Sequence, residues 1–172
     1  APAIAQEKAA EDREVVITGT PLSKTAELLA DCLARACPPK QDIDASLAHA
    51  ENQFIAGDYA AARATLAASR HRNDRHAADF PVEVADLNRA YGRLSDLNGY
   101  REMSRFLQIE SIDSLKAGLD DKGDSRILMQ RLMIGDEYAK SGRIVAATDV
   151  YRKVAKQGRK AGLAHVTGHA ML

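Results

Sequence analysis

Apolar residues recur every three or four positions along most of the chain, and this spacing predicts amphipathic α-helices. The clearest stripe contains Leu128, Leu132, Gly135 and Ala139, at intervals of four, three and four residues. A second stripe follows Gly142 and consists of Ile144, Ala147, Tyr151 and Val154. Because glycine adopts the left-handed conformation that ends many helices, the two stripes predict a short antiparallel hairpin.

Two further hairpins of this kind are predicted upstream. In the first of them, Gly57 is followed five residues later by Ala62 and four residues after that by Leu66, as in the last hairpin. In the middle hairpin, which turns at Gly99, Met103 stands where the small residue is expected. One such hairpin cannot bury its own apolar face, so the pattern favours a stack of three.

The last hairpin resembles the tetratricopeptide repeat. The matching residues are Ile134, Gly135, Tyr138, Gly142, Ala147 and Tyr151. The resemblance implies an all-α fold, in which a right-handed stack of about three helical hairpins carries flanking N- and C-terminal helices. Residues 21–172 would form this single domain, with units of about residues 42–80, 81–123 and 124–162.

A concave groove that binds a peptide or a partner helix is the function that the resemblance implies. Counting back from the three turns places these residues in the groove: Leu47, Glu51, Phe54, Asn88, Gly92, Leu132 and Asp136. Arg89, the residue after Asn88, is expected to reach into the groove as well. With Glu51 and Asp136 among them, the predicted groove favours an amphipathic or basic segment over a free C-terminal carboxylate. The alternative is that its apolar residues only fill the stack.

Composition narrows the possible partners. Apolar residues make up 45% of the chain and aromatic residues 5%, which favours packed helices. Lys plus Arg and Asp plus Glu number 24 each, so no positive field favours nucleic acid, and no apolar run approaches the ~20 residues of a membrane span. The basic segment at 70–78 is predicted to be a solvated loop; the alternative is that Arg70, Arg72 and Arg75 bind an anionic partner.

The first twenty residues suggest export. Ala3-Ile4-Ala5 before Gln6 has the small-x-small pattern of a signal-peptidase site, which predicts a periplasmic protein without its signal peptide; a cytoplasmic location is the alternative. The strand-like segment Glu14 to Thr20 resembles the TonB box of TonB-dependent receptors. As an alternative function, the chain would be an accessory of TonB-dependent transport that donates this strand to a partner. Otherwise residues 1–20 are an exposed flexible tail.

Both cysteines lie near the end of the first predicted helix, which Pro38-Pro39 stops. Five residues separate Cys32 from Cys37, and a chain that leaves the helix near Ala36 brings their Cα atoms within disulfide range. Export favours a disulfide, whereas in a reducing compartment the two residues would be small buried thiols.

Catalytic motifs are lacking in the sequence. It contains no phosphate-binding glycine loop, no nucleophile elbow and no placed Cys-His pair, which predicts a protein that is not an enzyme and has no cofactor. His165 and His169 are one helical turn apart, but Val166 occupies the position of a catalytic Glu and no third ligand is evident. We therefore predict no metal site.

Overall fold

A computed structural model describes residues 21–119 and 123–171, and in this part of the chain all regular structure is helical. The elements are α1 (Leu22–Ala34), α2 (Pro39–Ile55), α3 (Tyr59–Asn73), a 3₁₀ turn (Asp74–His76), α4 (Pro81–Leu97), α5 (Arg101–Gly118), α6 (Ser125–Lys140), α7 (Ile144–Lys160) and α8 (Ala164–His169). The predicted all-α class is confirmed. The TonB-box-like segment and the predicted tail lie outside the described residues.

The helices pack as three consecutive pairs, α2 with α3, α4 with α5, and α6 with α7. Helix α1 packs on α2 at one end of the chain, and α8 packs on α7 and α6 at the other. Neighbouring pairs meet through α3 and α4 and through α5 and α6, and α2 also packs on α4. This is the predicted arrangement of three hairpins with flanking helices. No described helix combines the length and the apolar character that a membrane span requires.

Five of the first seven helices are followed by a residue in the left-handed backbone conformation. In four of them this residue is glycine, and in the fifth it is alanine. After α6, for example, Gly142 has φ +75° and the Arg143 N–H donates to the Tyr138 carbonyl at 2.8 Å. At the end of α1 the left-handed residue is Ala36, with φ +48°, and the Cys37 N–H donates to the Cys32 carbonyl at 3.0 Å. These two cysteines are paired, with 5.0 Å between their Cα atoms, so their predicted proximity is confirmed. The disulfide joins the two positions that usually make the apolar contact of this cap.

Small residues recur where the two helices of each hairpin cross. Gly92 lies against Ser104 in the middle hairpin, Ala50 and Ala62 belong to the same apolar cluster in the first, and Gly135 and Ala147 are both buried in the last. A Cβ atom at Gly135 would lie 2.6 Å from Cε1 of Tyr151, so this crossing has no room for a side chain. The prediction that Met103 occupies the crossing position of the middle hairpin was wrong. Ser104 is 5% exposed and lies at the crossing, whereas Met103 is 42% exposed. Counting five residues from Gly99, as from Gly57 and Gly142, leads to Ser104.

Three apolar clusters form the core, one at each interface along the stack. The first joins α2, α3 and α4, the second joins α4, α5 and α6, and the third joins α6, α7 and α8. Fully buried Val166 places α8 against the last hairpin, as expected of a capping helix. Burial of a large aliphatic side chain contributes about 1.5–3 kcal/mol, so these clusters supply much of the stability.

The end of α3 corrects the prediction of a solvated loop at 70–78. Helix α3 continues to Asn73, and Arg72 makes two hydrogen bonds of 2.7 and 2.6 Å to the buried carboxylate of Asp42 on α2. Asn73 donates to the same carboxylate at 2.7 Å. Burial alone would raise the pKa of Asp42, but the hydrogen bonds from Arg72, Asn73 and Ser46 outweigh it and lower that pKa. The segment lacks apolar periodicity because its inward-facing side chains are polar.

Candidate functional site

Two surface clefts lie where the third hairpin meets the second. The first, called here the methionine cleft, has a volume of about 210 Å³ and lies between α4 and α6 with α5 beneath it; it includes Val82, Asp86, Arg89, Ser111, Leu115, Arg126, Met129, Gln130 and Met133. The second, the charged cleft, has a volume of about 260 Å³ and is bordered by Asp96, Arg101, Ser104, Arg105, Gln108, Ile134, Glu137, Tyr138, Lys140 and Ser141.

Both clefts follow one side of α6. Residues 126, 129, 130 and 133 line the first cleft, and residues 134, 137, 138 and 141 line the second. This spacing of three and four residues places them on one continuous face of the helix. The two sets are centred about eight residues apart, which corresponds to roughly 12 Å at the helical rise of 1.5 Å per residue.

Met129 and Met133 form the α6 wall of the methionine cleft. Both side chains are more than a third exposed although they are apolar. Methionine is flexible and polarisable, and it adapts to apolar groups of different shape. Across the cleft, Arg89 donates to Asp86 at 2.6 Å, so the charges on the α4 wall neutralise each other. The cleft therefore presents an apolar wall opposite a polar one.

Gln130 supplies a hydrogen-bond donor at the base of the methionine cleft. The residue is 2% exposed, and its amide nitrogen is buried without a hydrogen-bond partner among the described residues. Nearby Ser111 is already satisfied, because its hydroxyl donates to the Ala85 carbonyl at 3.0 Å. An unsatisfied buried donor costs about 1–3 kcal/mol, which a ligand acceptor would recover once the amide turned toward the cleft.

Cations outnumber acids around the charged cleft. Lys140 donates to Glu137 at 2.9 Å, and this hydrogen bond is the main reason that the pKa of Lys140 is raised. Arg105 pairs with Glu102 one turn earlier on α5 at 3.2 Å, and Arg101 has no ion pair within the described part of the chain. Of the two arginines at this cleft, Arg105 therefore has one exposed ion-pair partner and Arg101 has none in the described residues.

The predicted groove residues of α2 lie elsewhere. Leu47 is half-buried against the first apolar cluster, and Glu51 is exposed. The exposed ring of Phe54 lies 5.1 Å from the Tyr59 ring. None of the three lines either of the two clefts along α6.

Asn88 and Leu132 lie inside the stack rather than at its surface. Asn88 accepts a hydrogen bond of 2.8 Å from Arg70 Nε and donates one of 3.2 Å to the Ser114 hydroxyl. Leu132 belongs to the third apolar cluster, which agrees with the alternative that the apolar residues fill the stack. Gly92 is also buried and faces α5 so closely that a Cβ atom added to it would lie 3.3 Å from Leu107 Cβ.

Asp136 faces α7 and α8, and of the predicted residues Arg89 lines one of the two clefts described above. The Tyr151 hydroxyl donates to Asp136 at 2.7 Å, and this bond raises the pKa of Tyr151 to about 12. His169 Nε2 lies 3.9 Å from the same carboxylate. The prediction missed Met129 and Met133, although two methionines one turn apart on the polar side of α6 were a signal in the sequence.

Metal ligation finds no support in this geometry. Within residues 21–119 and 123–171, no group of three or more His, Cys, Asp or Glu residues is placed to hold a metal ion.

Comparison with protein-family models, curated proteins and solved structures found no match.

Proposed function

We propose that this chain is a non-catalytic interaction module, a tetratricopeptide-like stack that binds a peptide segment of a partner protein in the methionine cleft. The observation that supports this proposal is the buried amide of Gln130, which lacks a hydrogen-bond partner in the described residues and lies beside two exposed methionines. Such a combination of one polar group with apolar walls is typical of binding sites.

A peptide fits these groups better than a small cofactor does. The volume of about 210 Å³ is below the roughly 300–1,000 Å³ of typical small-molecule sites, and it suits one or two side chains. An apolar side chain of the peptide would pack on Met129 and Met133. A backbone carbonyl beside it would accept a hydrogen bond from Gln130, and that bond would fix the register of the peptide.

The charge of the partner follows from the clefts and not from the residues first expected. Glu51 and Asp136, which favoured a basic segment, line neither cleft. A periplasmic location remains a prediction, and the pairing of Cys32 with Cys37 supports it because disulfides persist in oxidising compartments. The alternative function in TonB-dependent transport depends on Glu14 to Thr20, outside the described residues.

Selection from a display library of random peptides tests the proposal. Peptides of about 16 residues are long enough, because a helix of that length spans about 24 Å. We expect recovered peptides to share an apolar anchor, and Met133→Lys to weaken their binding by about tenfold or more in fluorescence anisotropy.

Ile109→Lys is the matched control for Met133→Lys. Ile109 is 45% exposed and Met133 is 42% exposed, both are on helices, and Ile109 lines neither cleft. Circular dichroism of both variants confirms that each is folded. Equal loss of affinity in the two variants, or loss only with Ile109→Lys, would contradict binding in the methionine cleft.

A further inference from the structure

We infer that the charged cleft is a second subsite for the same ligand and that it binds a carboxylate side chain, Glu or Asp, of the peptide held in the methionine cleft. This inference rests on the proposed function and specifies the chemistry of the partner. Three cationic side chains border the charged cleft, namely Arg101, Arg105 and Lys140, against two acidic ones, Asp96 and Glu137.

The base of the charged cleft carries polar groups that the protein leaves unused. Ser104 is 5% exposed, and its hydroxyl makes no hydrogen bond to the described residues although it borders the cleft. Gln108, one turn further along α5, likewise has no side-chain hydrogen bond within that part of the chain. A hydroxyl and an amide are both able to donate to a carboxylate oxygen.

The two arginines are available to an incoming anion. Arg101 has no ion pair in the described part of the chain, and Arg105 is bound only to Glu102, whose side chain is largely exposed. Exposed pairs of that kind contribute little, so Arg105 can exchange its partner at small cost. Lys140 is held by Glu137, and the remaining acid, Asp96, is close enough to help raise the pKa of Lys140. Glu137 is thus bound to the lysine, and neither Asp96 nor Glu137 forms an ion pair with Arg101 or Arg105 in the described residues.

The position of the second subsite sets the spacing within the ligand. The two sets of lining residues on α6 are centred roughly 12 Å apart, which an extended peptide covers in about four residues and a helix in about eight. The ligand should therefore carry its acidic residue at one of these two distances from its apolar anchor.

Selecting the same random library on three proteins tests the subsite. On the unmodified chain we expect Glu and Asp to be enriched over Lys and Arg at a fixed distance from the anchor. On Arg101→Glu this preference should disappear or reverse, and peptides that carry the acid should bind about tenfold more weakly. Arg152→Glu, an equal change of charge on the exposed surface of α7 that lines neither cleft, should keep the preference.

A local test uses Ser104→Ala, which keeps a small residue at the crossing of α4 and α5. This substitution should weaken the binding of peptides that carry the acidic residue more than the binding of the same peptides with Glu replaced by Gln. If the preference for Glu and Asp is the same on all three proteins, the second subsite is wrong. A shared apolar anchor in the same peptides would still support the proposed function. Absence of any common anchor would contradict both.

Discussion

The stack contains two junctions between hairpins that differ in how polar groups are used. At the closed junction, where α2 and α3 meet α4, Lys40 donates to Glu83 at 2.9 Å and Arg70 donates to Asn88 at 2.8 Å. At the open junction, where α4 and α5 meet α6, no side-chain hydrogen bond or ion pair joins α6 to either of the other two helices in the described residues. Several of its charged side chains pair within one helix instead, as Asp86 does with Arg89 on α4 and Glu137 with Lys140 on α6.

Two buried amides show the contrast most clearly. Asn88 at the closed junction has partners for both its oxygen and its nitrogen, in Arg70 and Ser114. The amide nitrogen of Gln130 at the open junction has no partner among the described residues. Satisfied polar groups fix the geometry of an interface, whereas an unsatisfied one costs free energy until a ligand arrives. Buried atoms without a partner also occur at Arg63 on α3 and Ser95 on α4, so the contrast rests on these two amides: Asn88 stabilises the closed junction, and Gln130 leaves a donor at the open one.

The largest expected effect on stability comes from a substitution in the first hairpin, formed by α2 and α3. Asp42→Ala removes the buried carboxylate that accepts hydrogen bonds from Arg72 and Asn73, so that Arg72 loses its ion pair while Asn73 keeps only its hydrogen bonds to Ser69. We expect a loss on the order of 3 kcal/mol in the free energy of unfolding, because one member of a largely buried ion pair is removed. Urea denaturation measures this loss. Asp44→Ala, an exposed acid on the same helix, is the control and should change little.

The same group predicts a pH dependence. The folded-state pKa of Asp42 is below its ordinary value of 3.8, so its stabilising effect is complete above the unfolded-state pKa and is lost as the pH falls through the folded value. The difference in unfolding free energy between the unmodified chain and Asp42→Asn should therefore shrink below about pH 4. A difference that stays constant down to about pH 2 would show that Asp42 is not the titrating group.

Asn88→Leu should destabilise the closed junction to a smaller extent. The substitution conserves approximate volume but leaves Arg70 Nε without its acceptor and deprives Ser114 of one hydrogen bond. We expect a loss of about 1–3 kcal/mol, the cost of leaving a buried polar group unsatisfied. Thermal unfolding followed by circular dichroism checks it. An unchanged melting temperature would mean that the closed junction is not held by this network.

Gln130→Met should have the smallest effect, and it should have the opposite sign. The change replaces an unsatisfied buried amide by an apolar group of similar length, so stability should stay within about 1 kcal/mol of the unmodified chain or rise. Peptide binding should weaken in the same variant. A large loss of stability would indicate that Gln130 is a structural residue, and the contrast between the two junctions would then fail.

The helices and their turns could be predicted from the sequence because their causes are local. Periodic apolar residues mark each buried face, and the left-handed residue at Gly57, Gly99 and Gly142 depends on the absence of a side chain. The approach of Cys32 to Cys37 is local in the same way, since five residues across a helix end leave few alternatives. The one local position predicted wrongly was Met103: the five-residue spacing from the glycine, as in the other hairpins, leads to Ser104.

The positions of the side chains that line the two clefts were decided by tertiary packing. Which side of α6 faces α4 depends on the crossing angles of α4, α5 and α6, and these follow from how all their side chains fit together. For that reason Leu132 and Asp136 were expected in a groove but pack against other helices, while Met129, Gln130 and Met133 line the methionine cleft. A binding cleft exists only where two packed surfaces fail to meet, and no single helix encodes that gap.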